Sequence, residues 1–137
     1  MENRVELAVN KHKAGYNCAQ AVACAYCDMF GMSEKDAFKA TEGFGLGIAG
    51  TMGMCGAVCG AVFLAGLKNS DGDMAEPKTK ASTYKLGKAI VNEFEEMNSS
   101  YICKELRGIE GKKLRSCTGC VEDAAKLVEK YLTNESE

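Results

Sequence analysis

The run KTKASTYKLGKAIVNEFEEM, residues 78–97, decides the fold class. Tyr84, Gly87, Ile90, Val91, Phe94 and Met97 recur in it at spacings of three and four, which lines one face of an α-helix and predicts a buried stripe. The run follows Pro77, the single proline of the chain, and breaks at Asn98-Ser99-Ser100. Elsewhere too, apolar residues recur at helical rather than alternating spacing.

Working outward, the polar stretch from Lys68 to Pro77 is a loop, and before it lies a run of 25 residues without a charge, Gly43 to Leu67. That length could span a bilayer, but seven glycines between Phe44 and Leu67 and mostly small apolar side chains weaken transfer into lipid. The run therefore reads as a glycine-punctuated loop over residues 43–54, leading into a core helix from Thr51 or Met52 to Leu67. Gly45, Gly47 and Gly50 match G-x-G-x-x-G, yet a dinucleotide site needs a strand before that motif, and Glu34 to Thr41 reads as a helix. The glycines instead predict a loop whose backbone approaches something closely.

Helices are also predicted from Arg4 to His12, Asn17 to Phe30, Glu34 to Thr41, Tyr101 to Leu106 and Cys117 to Leu132, with a basic loop from Gly108 to Ser116. Asn17 and Gln20 have capping-box spacing, Cys18, Val22, Ala25 and Met29 share one stripe, and Gly31 is the stop. Ser33 caps the next helix, with Asp36 in its first turn. The reading is an all-α, single-domain bundle of about five to seven helices over residues 1–137, with the glycine-rich loop before its central helix.

The chain has 137 residues, and its 17 basic against 19 acidic residues give a formal charge of −2. There is no excess of positive charge for nucleic acid or an anionic membrane. Eight cysteines stand out. The N-terminus, Met1-Glu2-Asn3-Arg4-Val5-Glu6, carries no apolar signal core, so a reducing cytoplasm is expected, and a chain of this size needs no disulfide staples.

Position on the predicted helices divides the thiols. Cys18 follows the cap Asn17, Cys55 lies just after Thr51, Cys103 is three residues beyond Ser100, and Cys117 follows Ser116, so all four fall in the first turn of a helix. Unpaired amides and the positive end of the dipole stabilise a thiolate there. Four such positions on four helices are candidate ligands of one tetra-thiolate metal or cluster site.

Cys59 shares the face of Cys55 and is a spare or flanking thiol. Cys117 and Cys120 form C-x-x-C at a helix start, either a redox dithiol or one ligand with a packing neighbour. Cys24 and Cys27 are a mid-helix C-x-x-C pointing away from Cys18, an exposed pair suited to a homodimer contact. His12, the only histidine, lies between Lys11 and Lys13 on an expected solvated face, which argues against a Cys–His pair or a histidine-containing zinc site. Asp71-Gly72-Asp73 fails as a calcium loop because Glu76 stands where glycine is required.

The runs Gly15-Tyr16-Asn17-Cys18-Ala19-Gln20-Ala21, Cys55-Gly56-Ala57-Val58-Cys59-Gly60-Ala61, Cys103-Lys104-Glu105-Leu106-Arg107-Gly108, and Cys117 before Val121-Glu122-Asp123-Ala124-Ala125, resemble a family. It is the C_GCAxxG_C_C family of redox-active proteins, small and mainly helical, and the resemblance covers essentially the whole chain. Its four cysteines correspond to Cys18, Cys55, Cys103 and Cys117, with Met54 where the pattern has glycine and Cys59 as the close rival of Cys55. The resemblance implies redox function and iron–sulfur binding, without an agreed reaction or substrate, and leaves the redox partner protein unknown. The expectation is electron transfer or redox sensing on a cluster held by those four. The alternatives are a thiol–disulfide protein using Cys117 and Cys120, with Cys55 or Cys18 as resolving thiol, and a structural four-cysteine zinc module.

Overall fold

The computed structural model describes residues 3–133. Among them are seven α-helices and no strand: α1 (Arg4–Lys13), α2 (Cys18–Tyr26), α3 (Glu34–Thr41), α4 (Gly56–Asn69), α5 (Lys80–Asn98), α6 (Cys103–Arg107) and α7 (Cys117–Leu132). The all-α bundle read from the sequence is the fold.

Helix α2 starts where its local chemistry dictates. The Asn17 side chain accepts from the Gln20 amide at 2.9 Å and the Gln20 side chain accepts from the Asn17 amide at 3.0 Å, closing the predicted capping box. The helix ends at Tyr26 rather than Phe30, giving way to a 3-10 turn over Cys27–Phe30 that Gly31 stops at φ +83°. This change of pitch carries Met29 off the core stripe and out to solvent.

The whole of α2 is buried, enclosed by α1, α3, α4 and α7. That corrects the expectation that Cys24 and Cys27 are an exposed pair: they are only 5% and 1% exposed. Cys24 points beneath α3, where its thiol donates to the Glu34 carbonyl at 3.6 Å.

Helix α4 is central, packing on α2, α5 and α7 through Ala57, Val58, Gly60, Ala61, Leu64 and Ala65. Gly60 sets the approach to α2: a Cβ there would stand 2.7 Å from the Ala19 carbonyl. The uncharged run thus splits into a loop and a helix of 14 residues, and no helix of the described residues is long and apolar enough to cross a membrane.

The helix begins at Gly56, not at Thr51 or Met52, because a distant segment holds the preceding residues extended. Met54 bridges Ile102, and the Cys55 amide donates to the Tyr101 carbonyl at 2.8 Å. Helix α5 starts at Lys80 and buries Gly87, Ile90, Phe94 and Asn98. Tyr84 and Met97 sit roughly 70° to either side of that line at 100° per residue, and they are 69% and 44% exposed rather than buried.

Candidate thiol centre

The four cysteines at helix starts come together, and a fifth joins them. Cys18, Cys103 and Cys117 open α2, α6 and α7, and Cys55 is the residue that precedes α4. Cys18 is placed by the capping box of its own helix, while the segments of Cys55 and Cys103 place each other: the Cys55 amide donates to the Tyr101 carbonyl, and the Cys103 amide to the Gly53 carbonyl at 2.6 Å. Cys117 follows Ser116, whose hydroxyl accepts from the Gly119 amide at 2.9 Å.

The sulfurs pair across helices. Cys117 lies beside Cys18, and Cys120, one turn further along α7, lies beside Cys55, each near enough for its S–H to favour charge on its neighbour. Cys103 is close enough to Cys18 and Cys55 that charge on either raises it. The first turn of α7 is itself braced by Arg115, which reaches Asp123 at 3.0 Å and Glu122 at 3.3 Å across the bare face of Gly119.

The partners divide into acceptors and donors. The Cys117 thiol, with the amides of Leu46 and Ala19, holds Cys18 down to about 6, against the desolvation that opposes ionisation. Cys55 is lowered by Cys120 and by the amides of Val58 and Ala57. Cys117 and Cys120 are pushed up because they serve as donors in these pairs, and burial raises them further. Burial raises Cys103, with the neighbouring thiols adding to it and Arg107 opposing.

The glycine-rich segment forms one wall. Leu46, Ile48, Ala49 and Met52 all have φ between 51° and 70°, interleaved with Gly47 and Gly50 at 72° and 75°. A β-branched residue such as Ile48 in the left-handed region is costly, so surrounding contacts must hold it there. The amides of Ile48, Ala49, Gly50, Met52 and Gly53 are bonded within the segment, whereas that of Leu46 points at Cys18. Gly56 closes the wall: a Cβ on it would lie 2.5 Å from the Cys18 sulfur and 2.8 Å from the Phe44 carbonyl. Met52 brings its thioether sulfur to 3.7 Å from the Cys103 sulfur.

Four of the five thiols are buried, and Cys117 alone of them is exposed. Of the remaining cysteines, Cys59 borders the centre, close enough to Cys55 and Cys18 that charge on either raises it, while Cys24 and Cys27 face Glu34 and each other instead. Burial pushes Cys59 and Cys24 each up to about 12. Cys59 lines an apolar groove with Phe44, Met54, Val62 and Phe63. His12, expected on a solvated face, is half-buried, because the end of α1 meets the start of α7 and its Nδ1 lies 3.0 Å from the Thr118 hydroxyl.

The donor set suits a soft metal or an iron–sulfur cluster by its chemistry: clustered thiols, two of them biased toward thiolate, beside Gly56, where any side chain would strike the Cys18 sulfur. Among the described residues no three His, Cys, Asp or Glu side chains are arranged as ligands of a single metal ion.

Comparison with known families gives a match over residues 16–131, to the model described as "Putative redox-active protein (C_GCAxxG_C_C)". The chain belongs to the C_GCAxxG_C_C family. The match takes in every one of its cysteines. Neither the curated proteins nor the solved structures give a match.

Sequence spacing marked Cys120 as the second thiol of a C-x-x-C with Cys117; that it lies beside Cys55, at the start of α4, follows from packing. The role of Met52 had no sequence signal, since its approach to Cys103 depends on a left-handed backbone at φ 64°.

For this C_GCAxxG_C_C protein, the thiol pairing predicts a pH dependence in the reduced, metal-free form. Cys18 falls from an ordinary 9.0 to about 6 on folding, so its ionisation stabilises the fold fully above 9 and that contribution is lost as pH falls toward 6. Cys117 is shifted the other way, and stability declines again above the ordinary thiol range. Urea midpoints, taken as the difference between the wild type and Cys18→Ser, should rise between these limits, which separates the thiol from His12. A difference that is flat with pH would contradict the assigned pairing.

Proposed function

We propose that the chain is an electron-transfer or redox-sensing protein whose thiol centre holds an iron–sulfur cluster on Cys18, Cys55, Cys103 and Cys117. The observation that carries this reading is the meeting of cysteines from four separate helix starts at one largely buried point, with Cys18 and Cys55 biased toward thiolate. Such a cluster supplies one-electron chemistry when bound. The residues then have distinct tasks. The four thiolates bind, and the Leu46 amide donates to Cys18 and favours the more reduced, more negative centre. Cys120 keeps its proton and donates to Cys55, while the glycine-rich wall excludes water.

A second reading is supported by the cross-helix sulfur pairs Cys18–Cys117 and Cys55–Cys120. In it, each pair closes to a disulfide, passing two electrons and two protons to a disulfide substrate that is reduced to two thiols.

Anaerobic purification followed by iron, zinc and acid-labile sulfide analysis and a visible spectrum tests both. Iron and sulfide in matching amounts, with visible absorption bleached by dithionite, is the expected result. Zinc without iron overturns it in favour of a structural site. A colourless, metal-free protein that loses titratable thiols in pairs on mild oxidation selects the second reading.

A further inference from the structure

We infer that the segment joining Cys103 to Cys117 is the docking surface for an acidic electron-carrier protein, an inference that rests on the proposed redox function. The segment leads from a buried site cysteine to the exposed one, so a partner seated on it stands at the accessible edge of the centre. Its charge runs against that of the whole chain, which is −2. Lys104 and Glu110 neutralise each other at 3.1 Å, Arg115 is taken up by Asp123 and Glu122, and Glu105 accepts from Ser100. Arg107, Lys112 and Lys113 are exposed and have no carboxylate partner among the described residues.

The backbone that carries these cations is held in place. Gly108, at φ +72°, turns the chain back on α6, and the amides of Leu114 and Arg115 both donate to the Leu106 carbonyl, at 3.0 and 3.1 Å. The Lys113 backbone packs so closely over Gly108 that a Cβ there would stand 2.5 Å from the Lys113 nitrogen. Arg107 lies 3.9 Å from the Met52 sulfur, which touches Cys103, and is itself beside Cys103, so the charged rim abuts the thiols.

Between the cations, Ile109 and Leu114 are 53% and 40% exposed, and Leu114 borders a cleft with Lys104, Gly108 and Lys112. A small apolar centre inside a charged rim is the anatomy of a transient protein encounter. A nucleic acid fits less well: three unpaired cations neutralise few phosphates, and the rest of the molecule is acidic. Electrostatic steering toward this edge would bring a carrier to the exposed sulfur first.

The test is binding of an oxidised, acidic flavodoxin to the full chain at low and high salt, read by calorimetry. Lys112→Glu/Lys113→Glu should weaken binding at low salt about ten-fold or more, and the same charge change on α5, Lys85→Glu/Lys88→Glu, should leave it nearly unaltered. Equal weakening by both pairs, or none by the first, overturns the inference. So does tighter binding to duplex DNA or to anionic phosphatidylglycerol vesicles that the first pair abolishes. The assay needs no bound cluster, so a metal-free, redox-inert chain would sink the proposed function while this surface stood or fell on its own result.

Discussion

Cys18→Ser is expected to strip the protein of iron and labile sulfide at least about ten-fold relative to wild type, while Cys24→Ser keeps both. The two residues lie on the same helix and are equally buried, at 4% and 5% exposure, so burial alone does not separate them. Surroundings do. Cys18 faces the S–H of Cys117 and the amide of Leu46, which stabilise a negative sulfur. Cys24 faces the Glu34 carbonyl and is raised by burial and by Cys27, so it stays a neutral thiol. Serine replaces a soft, readily ionised donor by a hard one that holds its proton, and iron–sulfur sites select for the former.

A second consequence does not depend on what the centre holds. In reduced, metal-free protein the thiolate that forms near 6 should vanish from the ultraviolet titration of Cys18→Ser and persist in Cys24→Ser. Equal retention of that thiolate in both variants would remove Cys18 from the centre. Loss of iron in Cys24→Ser, with Cys18 still titrating low, would move the ligand set to the other face of α2.

What was legible in the sequence is what local chemistry decides. Asn17 and Gln20 cap each other within four residues, an arrangement that appears in the fold as read, and Ser116 caps its own first turn. The helix starts, and with them the positions of Cys18 and Cys117, therefore follow from short-range rules. Cys55 was legible as a helix-start residue but not in register, because the boundary before Gly56 is set by residues 101 and 102, nearly fifty positions away in the chain. The burial of Cys24 and Cys27 was not legible, since a helix of small residues reads the same whether one neighbour or four cover it. α2 has four. The contact of His12 with Thr118 joins the two ends of the chain and likewise has no local signature.

Gly56→Ala should lower stability by about 1–3 kcal/mol, the usual cost of overpacking a closed site, and should also disturb the Cys18 thiolate. An added Cβ would stand 2.5 Å from the Cys18 sulfur, 2.8 Å from the Phe44 carbonyl and 3.3 Å from the Gly45 Cα, so one side chain and two backbone positions must move together. Alanine is the better helix former by about 1 kcal/mol within a helix, but Gly56 is only the first helical residue, where that gain is smallest. Displacing the sulfur takes it from the Leu46 amide and from Cys117, the groups that hold it near 6.

Gly60→Ala, one turn along the same helix, separates packing from chemistry. Its Cβ would meet the Ala19 carbonyl at 2.7 Å and the Ala19 Cα and Val22 Cβ at 3.3 Å, whereas that of Gly56 meets the Cys18 sulfur itself. It should cost a similar amount by urea denaturation, since α2 and α4 must separate, yet shift the thiolate less than Gly56→Ala does, since of the groups that hold Cys18 only the Ala19 amide lies at this contact. If Gly56→Ala were as stable as wild type, with Cys18 still ionising near 6, the close approach of α4 to the Cys18 sulfur would not exist in solution. If Gly60→Ala shifted the titration as far as Gly56→Ala, general loosening of the α2–α4 contact, rather than the glycine beside the sulfur, would govern the thiolate.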